Sequence, residues 1–297
     1  MYNSKAKTSR GIVNMNFNIK KFNIQMLVDR CEMDSRKSPM IVIIGKKDTG
    51  KSFLVRDILY HTQAAFPIGT VISGTEVANE FFQHMVPSKL IHDKYRPEIV
   101  TNMIKRQLSV KTQRNKEKTS GGGNSSVDPR AFLILDDCLY DSSWIKEEST
   151  RYVFMNGRHI DLMTIITMQY PLGITPNLRT NIDFVFILRE SIVGNRRRIY
   201  ENYAGMFHTF EMFCQFMDQC TENFEGLVIC NGVQSNRLED QVFWYKASDH
   251  PSFKLCDDSL WRDNKPFSST MLAGDEFNAE TMKKKNSGPW VHVKKTG

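Results

Sequence analysis

The segment from Gly45 to Ser52 constrains the fold of this chain more than any other feature of the sequence. It reads GKKDTGKS and fits the pattern G-x-x-x-x-G-K-[ST]. An almost purely apolar run, residues 39–44, precedes it, and apolar residues at helical spacing follow it as far as His61. A buried strand, a glycine-rich turn and a helix in this order predict a loop that binds phosphate groups.

Each position of this loop has a chemical task. Gly45 and Gly50 permit backbone conformations that a side chain would block. Lys51 supplies a cation to the β- and γ-phosphates, and the Ser52 hydroxyl is a ligand for Mg²⁺. A structural glycine turn is the alternative, which the flanking strand and helix disfavour. The backbone N–H groups of the loop are expected to point at phosphate oxygens, including those of Lys46, Lys47, Asp48 and Thr49.

Two aspartates follow a second apolar run. Residues 131–135 read AFLIL, and Asp136 and Asp137 come directly after them. A nucleotide site of this kind needs a carboxylate for its magnesium, so Asp136 is the candidate on the metal side. Asp137 is the candidate for orienting or deprotonating the attacking water. Aspartates that only cap a strand-end turn are the alternative, which the nearby phosphate loop disfavours.

Three further polar residues are candidates for nucleotide chemistry. Gln169 ends the apolar run 162–168, from where its amide would reach the γ-phosphate region. Arg158 lies just before this run, and an arginine from a neighbouring subunit can stabilise the charge on the transferred phosphoryl group. Arg179 is a second candidate by the same argument. A turn glutamine and solvated or salt-bridged arginines are the alternatives.

Short apolar runs alternate with helical patterns along the chain. Strands are predicted for residues 39–44, 70–72, 131–135, 162–168, 182–188, 227–230 and 241–245. Helices are predicted to begin at Arg196 and to cover residues 24–31, 52–61, 75–84, 98–108, 144–156 and 207–216. This alternation predicts an α/β fold with a mainly parallel sheet that helices cover on both faces.

The chain divides into three predicted parts. Residues 1–37 form an irregular lead-in, residues 38–256 the folded domain, and residues 257–297 a polar, lysine-rich tail. Within the domain, the basic and glycine-rich stretch at about 109–129 is expected to be a flexible insertion. The apolar runs are too short to span a membrane, so no transmembrane segment is expected.

The balance of charge favours a polyanionic partner. The 297 residues carry a net charge of +7. The basic residues of 105–118, the run 196–198 and the lysines of the tail are candidates for neutralising nucleic-acid phosphates without reading bases. Solvated charged faces of an ordinary basic protein are the alternative.

The six cysteines have no metal-binding spacing, and free thiols are expected.

The combined motifs resemble the FtsK–HerA superfamily of DNA-pumping ATPases. They are more closely similar to the genome-packaging ATPases of nucleocytoplasmic large DNA viruses, the poxvirus-type packaging ATPases. The likeness covers roughly residues 38–256 and leaves out residues 121–126 and the tail. The stretches that carry it are residues 45–59, 66–76 (FPIGTVISGTE), 136–137, 157–158, 167–169 and 243–247 (FWYKA).

The resemblance implies a RecA-like P-loop NTPase core that assembles as a ring, a hexamer or a pentamer, around double-stranded DNA. It implies that Mg²⁺ and ATP are the cofactors. Many relatives in the broader superfamily carry glutamate where this chain has Asp137, and the shorter side chain leaves the general-base role open. The remaining roles that it implies are phosphate and magnesium binding for Lys51 and Ser52, metal binding for Asp136, sensing for Gln169 and a trans-acting finger for Arg158.

Two functions from different classes are consistent with these residues. The first is an ATP-driven translocase that packages a viral genome, with capsid or portal-site proteins as partners, in the cytoplasmic virus factory of the host and possibly in the virion. The second is a binding or assembly protein that ATP gates and that turns over slowly. The candidate base, sensor and trans arginine favour the first, because a pure switch needs no trans arginine. A small-molecule kinase is a third reading, and the sequence contains no obvious lid for an acceptor substrate.

Overall fold

The apolar runs become the strands of one sheet in the computed structural model, which describes residues 17–33, 35, 37–120, 125–138, 144–262 and 264–267. Every residue of β1, β4 and β5 is buried, as expected for strands that are covered on both faces. The strands are β1 (Met40–Ile44), β2 (Ile68–Ser73), β3 (Ile91–His92), β4 (Ala131–Asp136), β5 (Leu162–Met168), β6 (Phe184–Ile187), β7 (Glu225–Cys230) and β8 (Val242–Lys246).

The order of the strands brings several strand ends to one edge of the sheet. Within the described residues, eight strands are arranged as β3-β2-β4-β5-β1-β6-β7-β8. The pairs from β3 to β6 are parallel, and β7 and β8 are antiparallel additions. The sheet is therefore mainly parallel, as predicted. Because β1 lies between β5 and β6, the phosphate loop that follows Ile44 starts beside Met168 and Ile187.

Helices fill most of the connections between strands. The predicted helix over residues 52–61 is confirmed as α2, which begins one residue earlier. The helices are α1 (Gln25–Val28), α2 (Lys51–His61), α3 (Glu76–Asn79), α4 (Pro97–Ser120), α5 (Glu148–Asn156), α6 (Pro176–Arg179), α7 (Val193–Tyr203), α8 (Phe210–Cys220) and α9 (Leu238–Gln241). Short 3₁₀ turns cover Asp29–Cys31, Phe82–His84, Ser88–Leu90, Trp144–Lys146, Gly157–Ile160 and Asp258–Leu260.

In the part of the chain that the structure describes, two hydrophobic cores lie on opposite faces of the sheet. Alternate residues of β1 divide between them: Val42 and Ile44 belong to one core, and Ile41 and Ile43 to the other. The first core includes residues of α5, α7 and α8, while α2 packs on the second. This layering confirms the predicted α/β fold, with helices on both faces of the sheet.

The predicted helix over residues 75–84 is wrong in its middle. Helix α3 ends at Asn79, and Glu80 takes a positive φ of 49°. The carboxylate of Glu76 then accepts hydrogen bonds from the backbone N–H groups of Phe82 and Gln83, at 2.9 and 2.8 Å. These bonds satisfy groups that a continuous helix would have paired with its own carbonyls, so the chain turns instead of continuing.

The prediction of a flexible insertion at about 109–129 also needs correction. Helix α4 continues through this stretch to Ser120, and residues 121–124 lie outside the described residues. Its inner face is anchored by buried Val100, Met103 and Gln107. The Gln107 amide donates to the carbonyl oxygens of Pro129 and Ile160, both at 2.7 Å. The basic composition indicated an exposed and flexible segment. A helix is nevertheless held in place when only one of its faces is buried.

The two ends of the chain are described only in part. Residues 1–16 and 268–297, with most of the predicted tail, lie outside the described residues. From the lead-in, Phe22 is 2% exposed and donates its backbone N–H to Trp244 on β8. The division at residues 37 and 257 stays a prediction. No helix within the described ranges is long and apolar enough to cross a membrane.

Candidate functional site

The backbone of the phosphate loop needs both of its glycines. A Cβ atom on Gly45 would lie 2.6 Å from the Thr49 hydroxyl and 3.0 Å from the Leu188 side chain. Gly50, directly before α2, has a φ of +98°, and Asp48 has one of +61°. These left-handed conformations turn the loop back over its own start, where Thr49 Oγ1 donates to the Lys46 carbonyl at 2.7 Å.

Lys51 lies inside the curve of the loop. Its side chain is 9% exposed, and Nζ donates to the Lys46 carbonyl at 3.1 Å. The same Nζ is 3.8 Å from Oδ2 of Asp137. Helix α2 begins at Lys51, so the positive end of its dipole faces the same space. A cation and a helix N-terminus together favour an anion in this loop.

Lys46 is already paired. Its ammonium group contacts the carboxylate of Glu190, which follows β6 and is 5% exposed. Although burial opposes the charge on Glu190, hydrogen bonds from Lys46 and from the Ile192 N–H keep the pKa of this carboxyl below its usual value. The pair ties the start of the phosphate loop to the end of β6, and it leaves Lys51 as the inward-facing lysine of the loop.

Asp136 is fixed by the strands on either side of it. Ser73 ends β2 and donates its hydroxyl to Oδ2 at 2.8 Å, and Thr167 of β5 donates to Oδ1 at 2.7 Å. Burial raises the pKa of Asp136, and the charge of Asp137 adds to this, while the two hydroxyl bonds oppose it. A buried, oriented carboxylate of this kind gains from a nearby cation.

Asp137 lies where three elements converge. Its φ is +47°, and its N–H donates to Thr167 Oγ1 at 3.0 Å. Gln169, just beyond β5, donates its amide Nε2 to Oδ2 of Asp137 at 2.8 Å. Lys51 approaches the same oxygen from the phosphate loop. The structure therefore brings together Lys51, Asp137 and Gln169, three of the residues singled out in the sequence.

The residues predicted to hold magnesium fit that ion. Mg²⁺ takes oxygen ligands and keeps several of its waters. Each carboxylate oxygen of Asp136 accepts one hydrogen bond and so keeps a lone pair for a ligand or a water. Ser52 lies in the first turn of α2 with an exposed side chain. The proposed donors are thus hard oxygen atoms, and the free lone pairs of Asp136 can also accept hydrogen bonds from the waters of the ion.

The two candidate arginines lie in different surroundings. Arg158 is exposed on the 3₁₀ turn that leads into β5, so it lies at the amino edge of the sheet. The seven residues of β5 separate that edge from the phosphate loop, which is about 20 Å of strand. Arg179 donates to the Ile174 carbonyl at 2.8 Å and lies over the Tyr203 ring at 5.3 Å. Neither arginine joins the site within its own chain.

The sequence predicted no site role for several residues that contribute to this site. Ser73 and Thr167 orient Asp136, and each is a polar residue near the end of an apolar strand, which is a signal that could have identified them. Glu76 is 1% exposed, and burial raises its pKa, with a further contribution from the charge of Asp136. Glu76 lies in a polar stretch of the sequence, and such a stretch does not indicate that a carboxylate is buried.

An apolar cavity of about 430 Å³ borders the phosphate loop. Phe53 and Phe224 expose 40% and 70% of their surfaces here, and Phe224 has a positive φ of 63°. Exposed aromatic side chains beside a phosphate site provide an apolar surface for the rest of a nucleotide. The remaining lining residues are Gly50, Leu54, Phe186, Leu188, Gly226, Tyr245, Lys246 and Ala247.

Proteins of large DNA viruses are similar to this chain. An uncharacterized protein of Acanthamoeba polyphaga mimivirus is 37% identical over 239 residues, which cover 79% of this chain and 80% of that protein. The chain belongs to the family of this viral protein. A protein of invertebrate iridescent virus 3 is 38% identical over 207 residues, covering 70% of this chain and 75% of its own. A search of protein-family models found no match.

A solved structure shares the fold. ATPases 2 and 3 of EssC from Geobacillus thermodenitrificans match with a TM-score of 0.50 and 13% identity, over 76% of this chain and 42% of that one. The genome packaging NTPase of Sulfolobus turreted icosahedral virus 2, in complex with ATP-gammaS, matches with a TM-score of 0.43 and 13% identity, over 70% and 98%. The EssC match, with the strand order, confirms the predicted α/β fold with a mainly parallel sheet between helices.

Proposed function

We propose that this chain is a Mg²⁺-dependent ATPase that moves double-stranded DNA during the packaging of a viral genome. The observation that carries the enzymatic part is the contact of Asp137 with Gln169 at 2.8 Å, beside the Lys51 ammonium group. A loop that only bound phosphate would not need a second carboxylate held at this place. Membership in a family of viral proteins supports the viral role.

The proposed division of labour follows from the contacts. The loop N–H groups and Lys51 hold the β- and γ-phosphates, and Asp136 and Ser52 hold Mg²⁺. When bound, the ion would neutralise charge that develops on the phosphate oxygens. Asp137 orients the attacking water and accepts its proton. Gln169 holds the Asp137 carboxylate in position and senses the γ-phosphate.

The apolar cavity beside Gly50 is proposed to take the base and sugar of the nucleotide. Phe53 and Phe224 would contact the base through their faces or edges. Such contacts give affinity without reading the edge of the base. We therefore expect weak discrimination between ATP and GTP.

Assembly into a ring is proposed from the position of Arg158. Because it lies at the amino edge of its own sheet, it can complete a nucleotide site only in another subunit. We propose that Arg158 enters the site of a neighbour and stabilises the charge of the transferred phosphoryl group. Arg179 is less suited, since its guanidinium group already bonds within the chain.

DNA would run along basic surfaces of the ring. Lys105 and Lys116 are exposed on α4, and the run 196–198 lies on α7. Contacts from such residues go to phosphates, so affinity for double-stranded DNA should fall steeply as salt increases. Affinity that is insensitive to salt would contradict binding through phosphates.

A nucleotide-gated assembly protein is the second candidate. The short side chain of Asp137 favours this second candidate. Its Oδ2 atom lies 3.8 Å from Nζ of Lys51, and an ion pair between the two groups would slow turnover. Steady-state ATP hydrolysis with and without double-stranded DNA separates the two. The motor requires many turnovers per chain and stimulation by DNA. A single turnover that DNA leaves unchanged would instead support the gated protein.

A further inference from the structure

A second cluster of polar side chains lies on α2, beyond the phosphate loop. Asp57 and His61 share one face of this helix, four residues apart, and His250 reaches them from the segment that follows β8. His250 Nε2 is 2.6 Å from Oδ1 of Asp57, and His61 Nε2 is 3.7 Å from the same oxygen. All three candidate ligand atoms lie within 4.8 Å of one another.

The Asp57 carboxylate is completely buried and needs a positive partner. Its exposure is 0%, and it accepts hydrogen bonds from the Tyr245 hydroxyl at 2.6 Å and the Ser248 N–H at 3.1 Å. Both donors are neutral. Among the residues that the structure describes, the only ion pairs of Asp57 involve the two histidines, which are charged only when protonated. A buried carboxylate without a cation is costly.

We propose that Asp57, His61 and His250 bind a divalent transition metal of the zinc class. Zinc binds histidine nitrogen and carboxylate oxygen at about 2.0–2.2 Å, so ligand atoms around a tetrahedral ion lie roughly 3.3 Å apart. The observed separations of 2.6 and 3.7 Å fall on either side of this value. Small rotations of the two rings would therefore make room for the ion.

The ligand types select the class of metal. Two imidazoles and one carboxylate suit zinc and similar ions, whereas magnesium and calcium require oxygen ligands. His61 keeps 32% of its side chain exposed, which leaves a path for the ion and a place for a water as fourth ligand. The Tyr60 ring stacks on His250 with centroids 3.9 Å apart and orients the imidazole.

Such a metal would join the helix of the phosphate loop to the segment after β8. Lys51 opens α2 and His61 closes it, so an ion at Asp57 and His61 would hold the far end of the same helix. His250 carries that link to the chain beyond β8. The proposed ion would thus link two segments of the fold, and its site is separate from the magnesium site proposed at Ser52 and Asp136.

Titration of the nucleotide-free protein with zinc tests this proposal. Metal-stripped full-length chain, in buffer with excess Mg²⁺, is titrated with Zn²⁺ by calorimetry, and Co²⁺ then serves as a spectroscopic probe of tetrahedral coordination. We expect one zinc per chain, a rise in unfolding temperature with zinc and a visible Co²⁺ band. Because no nucleotide is present, this outcome does not depend on the proposed ATPase.

Three variants identify the ligands. Changes to residues around metal ligands cost about 10–100-fold in affinity, so losing a ligand in His61→Gln or His250→Gln should cost at least about 100-fold. His208→Gln changes an exposed histidine between α7 and α8. It is the matched control and should bind zinc normally. His61 is at the solvent edge, so its variant tests the site even if His250→Gln fails to fold. The proposal is overturned if the unchanged chain does not bind one zinc per chain, or if both His61→Gln and His250→Gln keep its zinc affinity.

Discussion

The Gln169 amide donates a hydrogen bond of 2.8 Å to Oδ2 of Asp137, and this bond links the ends of two neighbouring strands. Asp137 follows β4 and Gln169 follows β5. The same oxygen faces Lys51 of the phosphate loop at 3.8 Å. One carboxylate thus contacts both the proposed sensor and the proposed phosphate-binding cation, so a change at either one is transmitted to it directly.

Replacing Gln169 with alanine should slow ATP hydrolysis more than it weakens binding. The amide positions Asp137, and its loss should lower kcat about 10-fold, which is less than the roughly 100-fold or more that loss of a general base costs. KM should change little, because phosphate binding is left to the loop. Gln113→Ala, at an exposed position on α4, is the control. An increase in KM with normal kcat would assign Gln169 to nucleotide binding instead.

Replacing Asp137 with asparagine should separate binding from hydrolysis. The amide keeps the size of the side chain but cannot accept a proton from water. We expect hydrolysis to fall by about 100-fold or more, the usual contribution of a general base, with ATP still bound. Single-turnover hydrolysis and equilibrium binding of ATP measure the two effects. Turnover near that of the unchanged protein would remove Asp137 as the base.

Replacing Asp136 with asparagine should stabilise the nucleotide-free protein while abolishing activity. Burial raises the pKa of Asp136, so folding disfavours the ionised form of this carboxyl. Removing that charge should raise the free energy of unfolding by about 1 kcal/mol. The Ser73 and Thr167 hydroxyls can donate or accept and so adapt to the amide. Denaturant unfolding without Mg²⁺ or ATP measures the change.

The gain in free energy of unfolding expected for Asp136→Asn depends on pH with a definite sign. A carboxyl whose pKa is raised by folding begins to cost stability as the pH rises above its unfolded-state pKa, and this cost is complete above its folded-state pKa. The advantage of Asp136→Asn should therefore be full above the folded-state pKa and should shrink as the pH falls from there toward the unfolded-state pKa. An advantage that is equal at all pH values would assign the effect to packing.

Replacing Lys51 with alanine should remove most of the affinity for nucleotide. The Lys51 ammonium group lies within the curve of the loop, and a hydrogen bond to a charged group is worth up to about 3 kcal/mol, or roughly 100-fold in affinity. Lys47→Ala is a matched control because its exposed side chain lies in the same loop. Equal binding of ATP by the two variants would argue against the role of Lys51.

The residues of local motifs could be placed from the sequence, because the pattern itself specifies their geometry. A strand followed by G-x-x-x-x-G-K-[ST] requires the turn that Gly45 and Gly50 make here. Asp136 and Gln169 could be placed at one edge because parallel strands end on the same side. The strand order that puts β5 between β4 and β1 depends on long-range pairing, which periodicity does not report.

The errors have a common physical cause. Helix α4 is anchored just before the predicted insertion by Gln107, which bonds to backbone carbonyls of residues far away in the sequence, and it continues to Ser120. Helix α3 ends early because Glu76 bonds to backbone groups several residues ahead. In both places a side chain that looked polar and solvent-exposed is buried by its hydrogen bonds. Composition predicts the cost of burying such groups but does not reveal the partners that offset it.

Subunits with Arg158 replaced by alanine should inhibit rings that also contain unchanged subunits. Arg158 lies at the amino edge of its own sheet, so it can stabilise only the phosphates bound by a neighbour. Each altered subunit then disables another subunit's site, and ATPase activity should fall more steeply than the fraction of altered subunits. Arg151→Ala, at an exposed position on α5, is the control and should leave activity unchanged. A decrease in simple proportion to that fraction would show that Arg158 does not act across the interface.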